Sequence, residues 1–179
     1  GQAELSARRG VVTADHRKCF QTVSGADPAT MILYPEWLTD RAESYRTLAQ
    51  FFLDPPDEEA LAAVRQDFNL ESSESPEQIA EDFELLFSLS QGRMQPIESV
   101  VASAAGISYS DVNEIDARAG LVICETYPSA PDHLSLELLF MSYLIGNNKA
   151  EMEANFLEQH LMNWVPYYCE QLIKEAATA

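Results

Sequence analysis

The sequence predicts an all-α protein built as a single compact multi-helix domain. Apolar residues recur at three- and four-residue intervals from Met31 onward, and helix-capping or helix-stopping residues separate these stretches. No series of alternating apolar and polar residues indicates a sheet. At 179 residues and 46% apolar content, the chain can bury one sizeable core. We expect a helical domain over 31–179, preceded at 1–30 by a flexible tail or upstream extension.

The first three predicted helices are marked by their ends. The first runs from about 36 to 52 and stops at Pro55-Pro56, and Asp57 can cap the second. In Ser75-Pro76-Glu77-Gln78, the serine and glutamine can form a capping box, with proline at the first helical position. Gly92 closes this third helix. The small residues of 102–106 predict a short helix or irregular turn.

The second half of the chain contains the most apolar stretch. Ser110 or Asp111 can cap a helix that includes Val122 and Ile123 and stops before Pro128. The next helix opens at Pro131 and is apolar around its circumference, which predicts burial on nearly all sides. Its stop is 146–148. A further helix spans about 152–164, Pro166 breaks it, and a terminal helix follows.

The charge of the predicted domain is strongly negative. Residues 31–179 contain seven basic and 26 acidic residues, a net charge of −19. Such a surface repels nucleic acid and anionic membranes and attracts basic partners, although solubility alone also accounts for it. No run of about 18 apolar residues predicts membrane insertion. No secretory signal is evident either.

The three cysteines predict a reducing environment. Cys19, Cys124 and Cys169 form neither a CxxC pair nor an even disulfide framework. This pattern favours buried free thiols, and we expect a cytoplasmic protein.

One constellation invites a catalytic interpretation. Asp132-His133 opens the most apolar helix, Glu137 follows, and His160 lies on the next helix; carboxylates and imidazoles are common metal ligands. Adjacent helical residues point about 100° apart, however, so Asp132 and His133 do not readily hold one ion. Asp132 can instead favour its helix dipole, and the histidines can be satisfied core residues. Glu137 lies among leucines and needs a partner, either internal or from a ligand.

The usual enzyme signatures are missing from the sequence. It contains no GxGxxG, GxxxxGK[ST], GxSxG or HExxH motif. We therefore expect a protein that is not an enzyme, with no cofactor and no metal site of its own.

Two composite motifs carry a resemblance to a known family. The first is Pro131-Asp132-His133-Leu134 followed by Glu137, and the second is Phe156, then His160-Leu161, then 164–166 (Trp-Val-Pro). Together they resemble the TorD/DmsD/NarJ family of redox-enzyme maturation chaperones over about 31–173. The resemblance implies a TorD-like helical fold. It also implies a cytoplasmic chaperone that binds the twin-arginine signal peptide, and often the body, of a molybdopterin-containing oxidoreductase subunit during cofactor insertion, assembly and export.

The resemblance also implies where the peptide binds. The Asp-His region is the functional region of the family, which corresponds here to Asp132 and His133, with Pro131 shaping the turn. An acidic rim and an apolar floor would complement a signal peptide with a basic end and an apolar stretch. The candidate rim carboxylates are Asp132, Glu125 and Glu98. The candidate floor residues are Tyr127, Leu134 and Trp164.

Two alternatives remain at this stage. One is a metal-dependent hydrolase that uses Asp132, His133 and His160. The other is a generic acidic helical adaptor for some basic partner. The oligomeric state is expected to be a monomer or a dimer that exchanges elements, since the breaks at Gly106 and Gly146 can act as hinges.

Overall fold

Helices account for most of the described chain. The computed structural model describes residues 20–22, 36–67, 69–88, 92–109, 121–123 and 130–176. Within these ranges the helices are α1 (Glu36–Phe51), α2 (Glu58–Asp67), α3 (Pro76–Phe87), α4 (Glu98–Ala105), α5 (Leu134–Gly146), α6 (Ala150–Phe156), a π-helical segment (Leu157–Leu161) and α7 (Met162–Ala176). Two three-residue strands, β1 (Phe20–Thr22) and β2 (Leu121–Ile123), complete the list. The predicted all-α fold is confirmed.

The predicted starts of α2 and α3 are confirmed at the level of single hydrogen bonds. The Asp57 carboxylate accepts a hydrogen bond from the backbone amide of Ala60 at 2.8 Å. At α3, the Gln78 amide donates to the Ser75 hydroxyl at 3.3 Å, while the Gln78 side chain accepts from the Ser75 amide at 2.8 Å. This is the reciprocal capping box, with Pro76 at the first helical position.

The chain between α4 and α5 differs from the sequence prediction. Val122 and Ile123, expected in a helix, lie in β2, which pairs antiparallel with β1 so that Phe20 faces Ile123. Adjacent β-branched residues suit an extended backbone, and their pairing partner lies in the predicted tail, outside the segment we read as helical. The remainder of that predicted helix and the domain boundary near 31 lie outside the described residues.

Helix α5 forms the centre of the core. Every residue from Leu134 to Ser142 is buried, which confirms the prediction of burial on nearly all sides. Helix α1 runs along α5 and brings small side chains to the contact, because Ala42 and Ala49 are both buried against it. A close approach of two helices needs small residues at the crossing. The aromatic rings of Phe140 and Phe156 meet edge to face, with centroids 4.8 Å apart.

The expected helix break at Pro166 is wrong, because α7 continues through this proline. The irregularity lies upstream, in the π-helical segment, where the amide of Met162 donates to the carbonyl of Leu157 five residues earlier. Proline removes a backbone donor and crowds the preceding turn. The wider turn just before α7 takes up a distortion that the sequence placed at the proline itself.

The prediction of buried thiols is wrong for the cysteine that can be assessed. Cys169 is a free thiol on the exposed side of α7. Its neighbour Tyr168 faces the core instead, and its hydroxyl donates to the Met94 carbonyl at 2.7 Å. Cys19 and Cys124 lie outside the described residues.

The capping box predicts the effect of one substitution. Ser75→Ala removes the acceptor for the Gln78 amide and should lower the free energy of unfolding by about 1 kcal/mol. Ser73→Ala is the matched control, since Ser73 is exposed and lies outside the cap. Urea denaturation of the two variants and the parent measures the difference. Equal stability of both variants would contradict a stabilising role for this cap.

Candidate functional site

The Asp-His region forms a joint between the start of α4 and the start of α5. The backbone of Ile97 bridges that of His133 in antiparallel fashion, and the Leu134 amide donates to the Pro96 carbonyl at 2.8 Å. The Glu98 amide donates to the Asp132 carbonyl at 2.9 Å. Two segments more than 30 residues apart in the chain are thus held together by their main chains, and we call this contact the α4–α5 joint.

Asp132 caps α4 and not the helix that follows it in sequence. Its side-chain oxygen Oδ2 accepts a hydrogen bond from the Ser99 amide at 2.8 Å. A carboxylate at this point satisfies a free amide of the first turn and favours the positive end of the helix dipole. The predicted interaction of Asp132 with a helix dipole is therefore present, but the helix is α4 and not α5. Helix α5 begins only at Leu134.

His133 caps α5. Its Nδ1 accepts a hydrogen bond from the Ser135 amide at 3.3 Å and lies 2.7 Å from the Ser135 hydroxyl. Burial lowers the pKa of His133 to about 4, and the nearby Asp132 carboxylate opposes this shift. A neutral imidazole is what an acceptor at a helix N-terminus requires, since a protonated ring would have no free lone pair there.

Three ionisable side chains meet inside the protein, behind the α4–α5 joint. We call Glu98, Glu137 and His160 the carboxylate–histidine cluster. They come from α4, α5 and the π-helical segment, all three are completely buried, and a ligating atom of each lies within 4.8 Å of the others. His160 Nδ1 lies 2.8 Å from Glu98 Oε2. The cluster joins three elements that are far apart in the sequence.

Glu137 is held in the cluster by Trp164, whose indole Nε1 donates to its Oε2 at 3.1 Å. Burial and the neighbouring Glu98 carboxylate raise the pKa of Glu137 well above its ordinary value, and the indole hydrogen bond opposes them. The partner that the sequence required for this glutamate is thus internal. Among the described residues, no hydrogen-bond partner is found for the other carboxyl oxygen, Oε1, of Glu137 or for Oε1 of Glu98.

The structure divides the predicted peptide-binding residues into two groups. Pro131 is exposed and Asp132 is half-buried, so both are accessible at the α4–α5 joint. The side chains of the other four that can be assessed are interior: His133, Leu134, Glu98 and Trp164. Glu125 and Tyr127 lie outside the described residues. The peptide-binding role of all eight stays a prediction, and the four interior residues are placed to position the joint from within.

The metal-dependent hydrolase alternative needed Asp132, His133 and His160 together. Among the described residues, the structure groups His160 with Glu98 and Glu137 instead. The physical reason is that Asp132 and His133 are each occupied as helix caps. Sequence reasoning missed the Glu98–His160 contact because it places Glu98 on the acidic rim of a peptide-binding cleft. One signal was available in the sequence. His160 and Trp164 are four residues apart and so share a helix face, and both can hydrogen-bond a buried carboxyl.

Comparison with known proteins decides the family. The family model for the nitrate reductase delta subunit matches residues 37–170. The chain belongs to the nitrate reductase delta subunit family. This confirms the predicted membership of the TorD/DmsD/NarJ family. Members of this delta subunit family are chaperones of molybdoenzyme assembly and not catalysts.

The match spans the whole α4–α5 joint and the carboxylate–histidine cluster. Neither a curated protein nor a solved structure gave a significant match to this delta subunit family member. Within the described ranges, no helix has the length and apolar character needed to cross a membrane.

The lowered pKa of His133 predicts a pH dependence of stability. The unfolded imidazole takes up a proton near pH 6.5 and the folded one only near pH 4, so the unfolded state binds more protons between these values. Stability contributed by neutral His133 is therefore present above about pH 6.5 and is lost as the pH falls. Between about pH 7.5 and about pH 5 the loss should be about 2 kcal/mol.

His133→Asn isolates this contribution, because asparagine caps a helix well and does not titrate. Urea denaturation at the two pH values, both above the pI of about 4.3, should give a flatter profile for the variant than for the parent protein. Parallel profiles would show that His133 does not change its protonation on unfolding.

Proposed function

We propose that this chain is a cytoplasmic chaperone that binds the twin-arginine leader peptide, the body, or both, of a molybdopterin-containing oxidoreductase subunit. It holds that subunit while the cofactor is inserted and then releases it for assembly and export. The observation that carries the proposal is the family match over residues 37–170. The partner is a polypeptide, and the protein acts by binding and not by catalysis.

The distribution of charge supports a basic peptide as the ligand. The whole chain has a net charge of −18. Several of its few cations are already paired within the protein, since Arg41, Arg46 and Arg93 form ion pairs with glutamates. A surface with unbalanced acidic groups attracts an arginine-containing segment over a distance of about a Debye length, about 8 Å at physiological ionic strength.

The α4–α5 joint is the proposed binding region. Asp132 is accessible there, and its backbone and side chain both hold the first turn of α4. A charged peptide group at Asp132 would therefore contact a residue that is fixed in place before binding. Preorganised partners lose little conformational freedom on association, which favours affinity.

Calorimetric titration with twin-arginine leader peptides at two salt concentrations tests the function. We expect saturable binding of micromolar or better affinity that weakens as salt increases. Replacing the arginine pair by lysines keeps the charge, whereas replacing it by glutamines removes it, so the two peptides separate shape recognition from charge. Absence of binding to every leader of the host's molybdoenzymes would contradict leader recognition and shift the proposal to the mature subunit.

Asp132→Asn tests the binding region. Asparagine can still accept from the Ser99 amide, so α4 should stay capped while the charge is lost. We expect leader affinity to fall about tenfold, which corresponds to about 1.4 kcal/mol. Asp57→Asn is the matched control, because Asp57 caps α2 with the same kind of hydrogen bond and carries the same charge. It should change affinity less than about twofold.

Thermal unfolding of both variants verifies that the folds are intact. Equal losses of affinity in the two variants would mean that only overall charge matters, and the α4–α5 joint would not be the binding region.

A further inference from the structure

The carboxylate–histidine cluster has features that peptide binding does not use. Its three side chains have no exposed surface, so they cannot contact a peptide on the surface of this conformation. Within the part of the chain that the structure describes, two buried carboxyl oxygens, Glu98 Oε1 and Glu137 Oε1, have no hydrogen-bond partner. An unsatisfied buried oxygen is costly, and the Glu98 and Glu137 carboxyls lie close enough to each other to interact. A proton shared between the two carboxyls, or a cation taken up from solution, would relieve this cost.

We propose that Glu98, Glu137 and His160 form a structural binding site for one divalent transition-metal ion, of the kind exemplified by Zn²⁺. Two carboxylates and one imidazole are a donor set that such ions accept. Two carboxylate charges would be balanced by the charge of one such ion. Neutralisation of this kind matters most where the surroundings are apolar.

The spacing of the donors fits one ion with a small adjustment. One ligating atom of each side chain lies within 4.8 Å of the others, and His160 Nδ1 is 2.8 Å from Glu98 Oε2. Donors bound at about 2.0–2.2 Å in tetrahedral geometry are about 3.4 Å apart. The side chains would have to move by about an ångström, with the ion taking the place of the proton between His160 and Glu98.

The backbone around the site supports a functional role. His160 lies in the π-helical segment, and such turns are common at functional sites because they redirect a side chain that a regular helix would place elsewhere. Glu98 lies in the first turn of α4 between the half-buried residues Ile97 and Ser99. Glu98 is thus one residue away from the partly exposed surface of the α4–α5 joint, and the burial of all three donors makes the site a structural and not a catalytic one.

The two tryptophans of the chain provide a local readout. Trp164 contacts Glu137, whereas Trp37 is 62% exposed on α1. In a Trp37→Phe protein, Trp164 is the only tryptophan and reports on the cluster. Co²⁺ is a suitable probe because it substitutes for Zn²⁺ and quenches a nearby indole.

The test is titration of chelator-treated, full-length Trp37→Phe protein with Co²⁺ and Zn²⁺ in excess Mg²⁺, which occupies surface carboxylates. We expect quenching that saturates at one equivalent of Co²⁺ and is reversed by Zn²⁺. Saturating Zn²⁺ should also raise Tm by roughly 5–10 °C at a free concentration about a hundred times Kd. Glu137→Gln, which keeps the size and the acceptor for Trp164, should abolish both effects.

Two further variants keep the result interpretable. His160→Gln removes a second ligand and should also abolish the quenching. Glu84→Gln, at an exposed glutamate of α3, is the control and should leave it unchanged. Co²⁺ binding that does not saturate, or that exceeds one equivalent, and that persists in Glu137→Gln would identify an adventitious ion on the surface only. That result would overturn the proposal. An absence of any metal effect in the folded parent would overturn it as well and leave the shared proton as the neutralising species.

Discussion

Burial of Glu137 in the centre of the core is the constraint on which the surrounding structure depends. Helix α5 is enclosed along most of its length, and an ionised carboxylate at that depth would cost several kcal/mol without compensation. The indole of Trp164 donates a hydrogen bond to this carboxyl, burial and the neighbouring Glu98 carboxylate raise its pKa, and His160 contacts Glu98 in turn. Each of these groups can act only if its own helix is held at a fixed distance and angle. The position of one glutamate thus specifies how α4, α5 and α7 meet.

The joint at the surface depends on the same constraint. Glu98 is the first residue of α4, so holding its side chain in the core fixes the start of that helix. The amides of Glu98 and Ser99 then point at Asp132, which accepts from both through its carbonyl and its carboxylate. Asp132 consequently has little freedom, although its side chain is only half-buried. Glu98 therefore links the interior cluster to the accessible aspartate, since its side chain belongs to the cluster and its backbone amide donates to Asp132.

Much of the fold could be predicted from the sequence because its signals are local. Capping at Asp57 and Ser75, the stop after Gly146 and the apolar circumference of α5 each depend on residues a few positions apart, and all are confirmed. The strand at 121–123 and the continuous helix through Pro166 could not be predicted in this way. The first depends on pairing with a segment about 100 residues away, and the second on a π turn whose presence no local pattern indicates.

The candidate site could be predicted only in part, because it too depends on contacts between residues far apart in the sequence. Glu137 was recognised as needing a partner, because a carboxylate among leucines conflicts with burial. Its partners were not identified, since the sequence does not reveal that Glu98 and His160 meet in space. The sequence analysis places Glu98 on an accessible acidic rim, whereas its side chain is completely buried in the structure.

Exposed and buried carboxylates have different electrostatic roles in this protein. Carboxylates on the surface are screened by water and salt, so many are needed to attract a partner and each contributes little. The buried carboxyls of Glu98 and Glu137 are barely screened, so each needs a partner in direct contact. A chaperone gains from both arrangements. In the proposed function, the acidic exterior attracts a basic segment, whereas the contacts of the interior cluster hold the α4–α5 joint, which is the proposed binding region, in one conformation.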